Sequence, residues 1–275
     1  MTLPVYVAPE ALADACAVAQ VALAKDLPVG AAVQLTGAVA HHAGTVRRTR
    51  PGENIELVDG AGTRVQVRVT AVGKKELAAA VIGTQLDPPS KPKITLVQAL
   101  AKSGRDEQAI ETATEYGVAE VVPWRSDRTI VNWAGKEAKA RTKWENTALS
   151  AVQQSRRSYG VTIAELLDSQ QLSSWIRAKV ADGAQVFICH ETAQTDLLAA
   201  LQTGTAQGVA EEVIVVVGPE GGITETEVAE FSGAGARPVL LGEHIMRAAT
   251  AGPWAIAVIS AYAKTQVPNP QRQID

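Results

Sequence analysis

The sequence is short of the residues that carry disulfide, metal and membrane chemistry. Cysteine occurs twice, at Cys16 and Cys189, and four histidines are scattered along the chain. Neither set has the spacing of a disulfide framework or of a zinc site, so both classes are argued against, and no metal is expected. That cysteine usage suits a reducing, cytoplasmic setting. Aromatic residues make up only 4% of the chain, so Ala and Val must fill most of any core. No stretch approaches the ~20 uninterrupted apolar residues of a membrane span. The most apolar early run, 11–24, is broken by Asp14 and Gln20 and has no basic residue before it, so it does not read as a signal peptide. A net charge of -3 excludes a generally basic nucleic-acid coat.

What is present suits a soluble globular protein. The chain has 275 residues, of which 46% are apolar, enough for about two domains with modest cores. Residues 29–82 have the pattern of a small β domain. The alternating runs "NIELVD" and "TRVQVRVTAV" flank Asp59-Gly60-Ala61-Gly62, a hairpin signal, and strand-like spacing continues upstream in "PVGAAVQLTG". The segment 84–93, with three prolines and two lysines, reads as an interdomain linker.

Beyond the linker, strands and helices alternate. "KITLVQAL" begins as a strand, and residues 105–116 form a helix with Ala109, Ile110 and Ala113 on its apolar side, stopped by Gly117. "AEVVPW" is a buried strand, 136–157 a long helix, and 173–182 another helix that ends at Gly183. "QVFIC" (185–189), "EVIVVVG" (212–218) and "RPVLLG" (237–242) are continuous apolar runs, each followed by a candidate helix. Strands apolar on both faces suit a parallel sheet covered by helices. There is no internal repeat and no low-complexity segment.

Ligands of open α/β sheets sit beyond the carboxyl ends of the strands. Three such ends carry unusual residues: "CHETA", "GPEGGITETE" and "LGEHIMRAATAG". In the second, Gly218, Gly221 and Gly222 permit close backbone approach to a ligand. Thr224 has the position of an N-cap, with Glu227 as its capping-box partner. The loop matches neither G-x-G-x-x-G nor a Walker loop, so neither a dinucleotide nor a triphosphate is indicated. The third end places Gly242, Arg247 and Thr250 ahead of a helix of small residues.

Charge is unevenly distributed. Between Trp124 and Arg157 stand eight basic residues (Arg125, Arg128, Lys136, Lys139, Arg141, Lys143, Arg156, Arg157) against three acidic ones. That is +5 locally in a chain of -3, leaving -8 for the remainder. Lys136, Lys139 and Lys143 recur at helical spacing on one face. A second cluster, Arg47, Arg48 and Arg50, lies in the β module. A charge run alone reads as a solvated face, whereas two clusters in an acidic protein point to a footprint for phosphates.

The strings "VVVGPEGGITETEV", "LLGEHIMRAATA" and "QQSRR" resemble the RsmE family, ribosomal RNA small-subunit methyltransferases that methylate uridine N3 in 16S rRNA. "HHAGTVRRTRPGENIELVDGAG" resembles the same family's N-terminal module. The resemblance implies a PUA-like, RNA-binding β-barrel over 1–83, a linker over 84–93 and a SPOUT-type α/β domain over 94–275. It further implies a C-terminal trefoil knot that holds S-adenosylmethionine, and a homodimer. On this match the cofactor is wrapped by His190 and Glu191, by Gly218, Glu220, Gly221 and Gly222, and by Leu240, Leu241, Gly242, Ile245, Met246 and Thr250. Arg247 faces the methyl-transfer site, with Glu220 as proton acceptor or water-orienting group. RNA contacts are expected from His42, Arg47, Arg48, Arg128, Lys136, Lys139, Lys143, Arg156 and Arg157.

The sequence departs from the family at three positions. Ala249 stands where a glutamate is usual, His244 where an arginine is common, and Gln153 where a glutamate is common. Two alternatives stay open from the residues themselves. One is a related methyltransferase acting on ribose 2′-OH or another base, and the other is a non-catalytic RNA-binding assembly factor.

Overall fold

A computed structural model describes residues 3–8, 27–203 and 210–266. The early apolar run and Cys16 lie outside the described residues. The chain divides into two compact units, one of Met1–Pro89 with Val152–Gly160 and one of Ser90–Ala151 with Val161–Asp275.

The first unit is a five-stranded sheet. Its strands are β1 (Val5–Val7), β2 (Ala32–Thr36), β3 (Asn54–Val58), β4 (Thr63–Val72) and β5 (Glu76–Leu86), in the order β1-β3-β4-β5-β2. β1 runs parallel to β3, and the other pairs are antiparallel. Alternation in β4 sends Val65, Val67 and Val69 inward, where they meet Ile55, Leu57 and Leu77. Register shifts at Gln66/Val67 and Val69/Ala71 bend β4. Tyr6 from β1 and Val33 and Leu35 from β2, the two ends of the strand order, enter this same core, so the sheet curls on itself as a barrel does. Asp59 closes the expected hairpin by accepting from the N–H groups of Ala61 (2.7 Å) and Thr63 (3.0 Å).

Two features of this unit escaped the alternation pattern. A short helix, α1 (Gly37–His41), continues into a π-type turn over His42–Val46. Val152–Gly160 also belongs to the unit: Tyr159 bridges Gly60 and Ala61 and donates its hydroxyl to the carbonyl of Asp87 at 3.0 Å.

The second unit is a seven-stranded, wholly parallel sheet. Its strands are β6 (Lys93–Ala99), β7 (Glu120–Arg125), β8 (Thr162–Ile163), β9 (Leu167–Asp168), β10 (Gln185–Cys189), β11 (Glu212–Val217) and β12 (Arg237–Val239). The order is β12-β10-β11-β6-β7-β8, with β9 also on β7. Its helices are α2 (Arg105–Glu115), α3 (Glu137–Ser155, whose last turn falls in the first unit), α4 (Ser169–Ala181), α5 (Leu197–Gln202), α6 (Glu225–Gly233) and α7 (Ala248–Gln266).

Alternate strand residues serve opposite faces. Leu96, Phe187, Val213 and Val215 pack with Ile110 of α2, Trp144 of α3 and Ile256 and Ile259 of α7. Val97, Val122, Ile214 and Val216 pack with Leu172 and Ile176 of α4 and Phe231 of α6. Burial on both sides explains the unbroken apolar runs. α4 begins at Ser169, four residues earlier than expected. Asp168 accepts from the Gln171 N–H while the Gln171 side chain accepts from the Asp168 N–H, a capping box written in the sequence as Asp-x-x-Gln.

Candidate cofactor cavity and basic clusters

The order of the strands places the carboxyl ends of β10, β12 and β11 close together, and the three unusual loops emerge there. The loop after β10 is stitched to the segment after β12: the His190 N–H donates to the Val239 carbonyl (3.1 Å), that of Leu240 to Thr195 (2.9 Å) and that of Leu197 to Leu240 (2.9 Å). The glycine loop leaves β11 at Gly218 and closes a tight turn through the Gly222 N–H and the Pro219 carbonyl (2.9 Å). Gly222 has φ of +75°, which favours glycine, and a Cβ on Gly218 would lie 2.6 Å from Cγ1 of Ile223. The turn feeds α6, whose start carries the expected capping box between Thr224 and Glu227.

These loops enclose a cavity of about 510 Å³. Its walls include His190, Glu191, Gly218, Glu220, Gly221, Gly222, Leu240, Leu241, Gly242, Ile245, Met246 and Arg247. Thr250 is set apart: it is exposed, is absent from the walls and turns its hydroxyl back to the Arg247 carbonyl (3.2 Å). Ala249 is buried in the first turn of α7 and is not a wall residue, so the departure there leaves the lining untouched. His244 does line the cavity.

The wall residues differ in how far their side chains are committed. Glu220 accepts at one oxygen, Oε1, from Arg105 Nη1 (3.0 Å) and from the Lys102 N–H (3.2 Å). It is thus an anchor between the ends of β11 and β6 before it is anything else. Arg247 is exposed and makes no side-chain hydrogen bond or ion pair among the described residues. His190 Nδ1 is 2.9 Å from the Thr192 hydroxyl. Cys189 also lines the cavity, where burial pushes its thiol up to about 12, so it stays protonated and neutral near pH 7. Arg105 and Cys189 were not anticipated. An arginine at a helix start gives no local sign of a partner 115 residues away.

The basic residues are less uniform than their spacing suggests. Lys136 and Lys139 are exposed and unpaired among the described residues. Lys143 pairs with Glu107 of α2 at 2.5 Å, and that carboxylate raises the lysine's pKa. Arg141 is paired with Glu145 and Glu165. Arg128 donates from Nη1 to the Gly221 carbonyl at 3.0 Å, at the back of the glycine loop. In the first unit Arg47, Arg48 and Arg50 are exposed, and His42 stands edge-on to Tyr6 with ring centroids 5.8 Å apart. Arg48 and Arg156 both have left-handed backbones, with φ of 54° and 59°. Arg157 is half-buried.

Among the described residues no helix is long and apolar enough to cross a membrane, and no cluster of His, Cys, Asp and Glu is placed to hold a metal ion.

Comparison with known proteins bears on most of the chain. Residues 88–260 match the RNA methyltransferase domain family, and residues 35–82 match the RNA methyltransferase PUA domain. Ribosomal RNA small subunit methyltransferase E of Mycobacterium bovis is 38% identical over 84% of this chain and 86% of its own length. The protein of the same name from Bacillus subtilis is 27% identical over 82% of this chain and 88% of its own. The crystal structure of ribosomal RNA small subunit methyltransferase E from Neisseria gonorrhoeae bound to S-adenosyl methionine superposes with a TM-score of 0.78. It has 27% identity to this chain and covers 94% of it and 98% of its own. A parallel α/β domain with its loops gathered around one cavity and a PUA domain before it, at this level of identity, places the chain in the ribosomal RNA small subunit methyltransferase E family.

Proposed function

We propose that the chain transfers a methyl group from S-adenosylmethionine to N3 of a uridine in the 16S rRNA of the small ribosomal subunit. The observation that carries this reading is the convergence of three strand-end loops on one cavity. A volume of about 510 Å³ falls within the range of small-molecule sites. Gly218, Gly221 and Gly222 bring bare backbone to the wall, Val217, Ile223, Leu240 and Leu241 offer apolar surface, and Glu191 offers a carboxylate for a cationic ligand. When bound, the cofactor supplies a sulfonium methyl for in-line transfer.

The chain's task is alignment and charge stabilisation. Arg247 is a guanidinium whose donors are free among the described residues, so it suits the carbonyl oxygen beside a uracil N3 that is losing its proton. Glu220, already holding Arg105 and Lys102, orients the rim of the cavity. The segment after β12 follows the trefoil knot of the family, and residues 94–275 carry the chemistry. Residues 1–83 bind RNA through His42, Arg47 and Arg48, with Arg156, Arg157, Lys136 and Lys139 adding phosphate contacts. A second copy of the chain covers α7, where Trp254 is 38% exposed beside the groove of Leu198, Val258 and Tyr262. The substrate puts the enzyme in the cytoplasm.

Nucleoside mass spectrometry of ribosomal RNA from a deletion strain tests the assignment. Loss of 3-methyluridine, regained with the intact chain and not with Arg247→Ala, supports it. Loss of a 2′-O-methyl nucleoside instead overturns the assignment of the nucleophile.

A further inference from the structure

We propose that Arg128 is a positioning residue for the cofactor cavity, holding the glycine loop from behind through the Gly221 carbonyl. The proposal rests on reading that cavity as the S-adenosylmethionine site. Arg128 Nη1 donates to Gly221 O at 3.0 Å. A Cβ on Gly221 would lie 3.2 Å from Arg128 Cβ and 3.4 Å from its carbonyl oxygen, so loop and turn touch with no side chain between them. Glycine at 221 is thereby explained by Arg128 rather than by the ligand.

The turn that carries Arg128 is itself fixed. The Thr129 N–H donates to the Ser126 carbonyl (3.0 Å), and the Ser126 N–H donates to the Thr129 hydroxyl (3.1 Å). Glu227, only 1% exposed, then ties the turn to the start of α6. One of its oxygens accepts from the Asp127 N–H (2.8 Å) and the Ser169 hydroxyl (2.7 Å), the other from the N–H and hydroxyl of Thr224 (both 2.9 Å). All four donors reach a carboxylate that would otherwise be costly to bury. The glycine loop is therefore held at its exit by Glu227, at Glu220 by Arg105 and Lys102, and at Gly221 by Arg128. Among the described residues its own internal support is the bond from the Gly222 N–H to the Pro219 carbonyl.

A loop held in its binding shape has less ordering entropy to lose when the ligand arrives. Nη1 of Arg128 is committed to a carbonyl, which gives this residue a task at the glycine loop distinct from contact with phosphate.

Calorimetric titration with S-adenosylmethionine of the full chain, Arg128→Ala and Arg128→Lys tests this, together with amide exchange of the cofactor-free proteins and salt titration of binding to a 16S rRNA fragment. Arg128→Ala should weaken the cofactor about 10-fold, or ~1.4 kcal/mol. Exchange at Gly221 and Gly222 should be faster, with the unfolding midpoint and the salt slope unchanged. Arg128→Lys should recover part of the affinity, because one ammonium N–H can reach the carbonyl. Equal affinity in the intact chain and Arg128→Ala overturns the proposal alone. A salt slope reduced by about one with cofactor affinity intact returns Arg128 to the RNA footprint and also overturns it. An intact chain that does not bind S-adenosylmethionine overturns the reading of the cavity, and this proposal with it.

Discussion

Arg156 stands just beyond the last turn of α3 in a left-handed conformation with φ of 59°, at a position where helices commonly carry glycine. Its N–H donates to the Gln153 carbonyl (3.3 Å), the next N–H donates to Val152 (3.1 Å), and Arg64 Nη2 donates to the Arg156 carbonyl (3.1 Å). All three bonds use backbone atoms of residue 156 or its neighbour, so glycine would keep them. An L-residue in this region costs roughly 1–2 kcal/mol. Glycine returns about 0.5–1 kcal/mol of that through the greater freedom of the unfolded chain. Arg156→Gly is therefore expected to stabilise the protein by about 0.5–1 kcal/mol, a rise in midpoint of roughly 1–4 °C. If the guanidinium touches a phosphate, the same substitution should reduce the log–log salt slope of RNA binding by about one. Arg156→Ala should lose the same slope without the gain in stability, because it keeps the strained backbone. Thermal melts and salt titrations on the three proteins separate the two effects. A Gly variant no more stable than the parent refutes the strain argument, and an unchanged slope removes Arg156 from the RNA footprint.

Four further outcomes are expected. Arg247→Ala should lower the single-turnover rate by about 100-fold or more while cofactor affinity changes little, since a positioned donor acts on charge that develops in the transition state; full activity in that variant would remove Arg247 from the mechanism. Gly222→Val forces a β-branched residue to φ of +75° and should abolish S-adenosylmethionine binding in a folded protein, as read by calorimetry beside circular dichroism. Lys136→Ala/Lys139→Ala should reduce the RNA salt slope by about two, whereas Lys143→Ala should change it little because Glu107 already compensates that charge. Burial works to raise the pKa of Glu212, but hydrogen bonds from Lys179 and Lys93 outweigh it and hold the carboxyl below its ordinary 4.5. A lowered folded-state pKa gives stability that is present above 4.5 and lost as pH falls through the folded value. Denaturation midpoints of Glu212→Gln should consequently fall less steeply below that pH than those of the parent, and parallel curves would contradict the assignment.

The sequence by itself determined those features whose causes lie within a few residues of one another. Alternation made β4, runs apolar on both faces made β10 and β11, and Thr224 with Glu227 three residues on made the start of α6. The loops that line the cavity were legible because glycine, histidine and arginine are out of place at the end of an apolar strand. Elements of two residues, β8 and β9, are too short to show a period, and the helical turn at His42–Val46 falls between the strand-like runs 28–37 and 54–59, in a stretch with no period of its own.

Tertiary structure decided what each charged group meets. Arg128 and Lys143 look alike in a count of basic residues, yet one reaches a carbonyl 93 residues away and the other pairs with Glu107. Glu220 reads as a free carboxylate until β6 and β11 lie side by side and bring Arg105 to it. Thr250 reads as a cavity residue until the turn of α7 carries it away from the walls. Local spacing fixes which face of an element a residue occupies. Its partner depends on the order of the strands, which follows from burying all the apolar faces at once and is written at no single position.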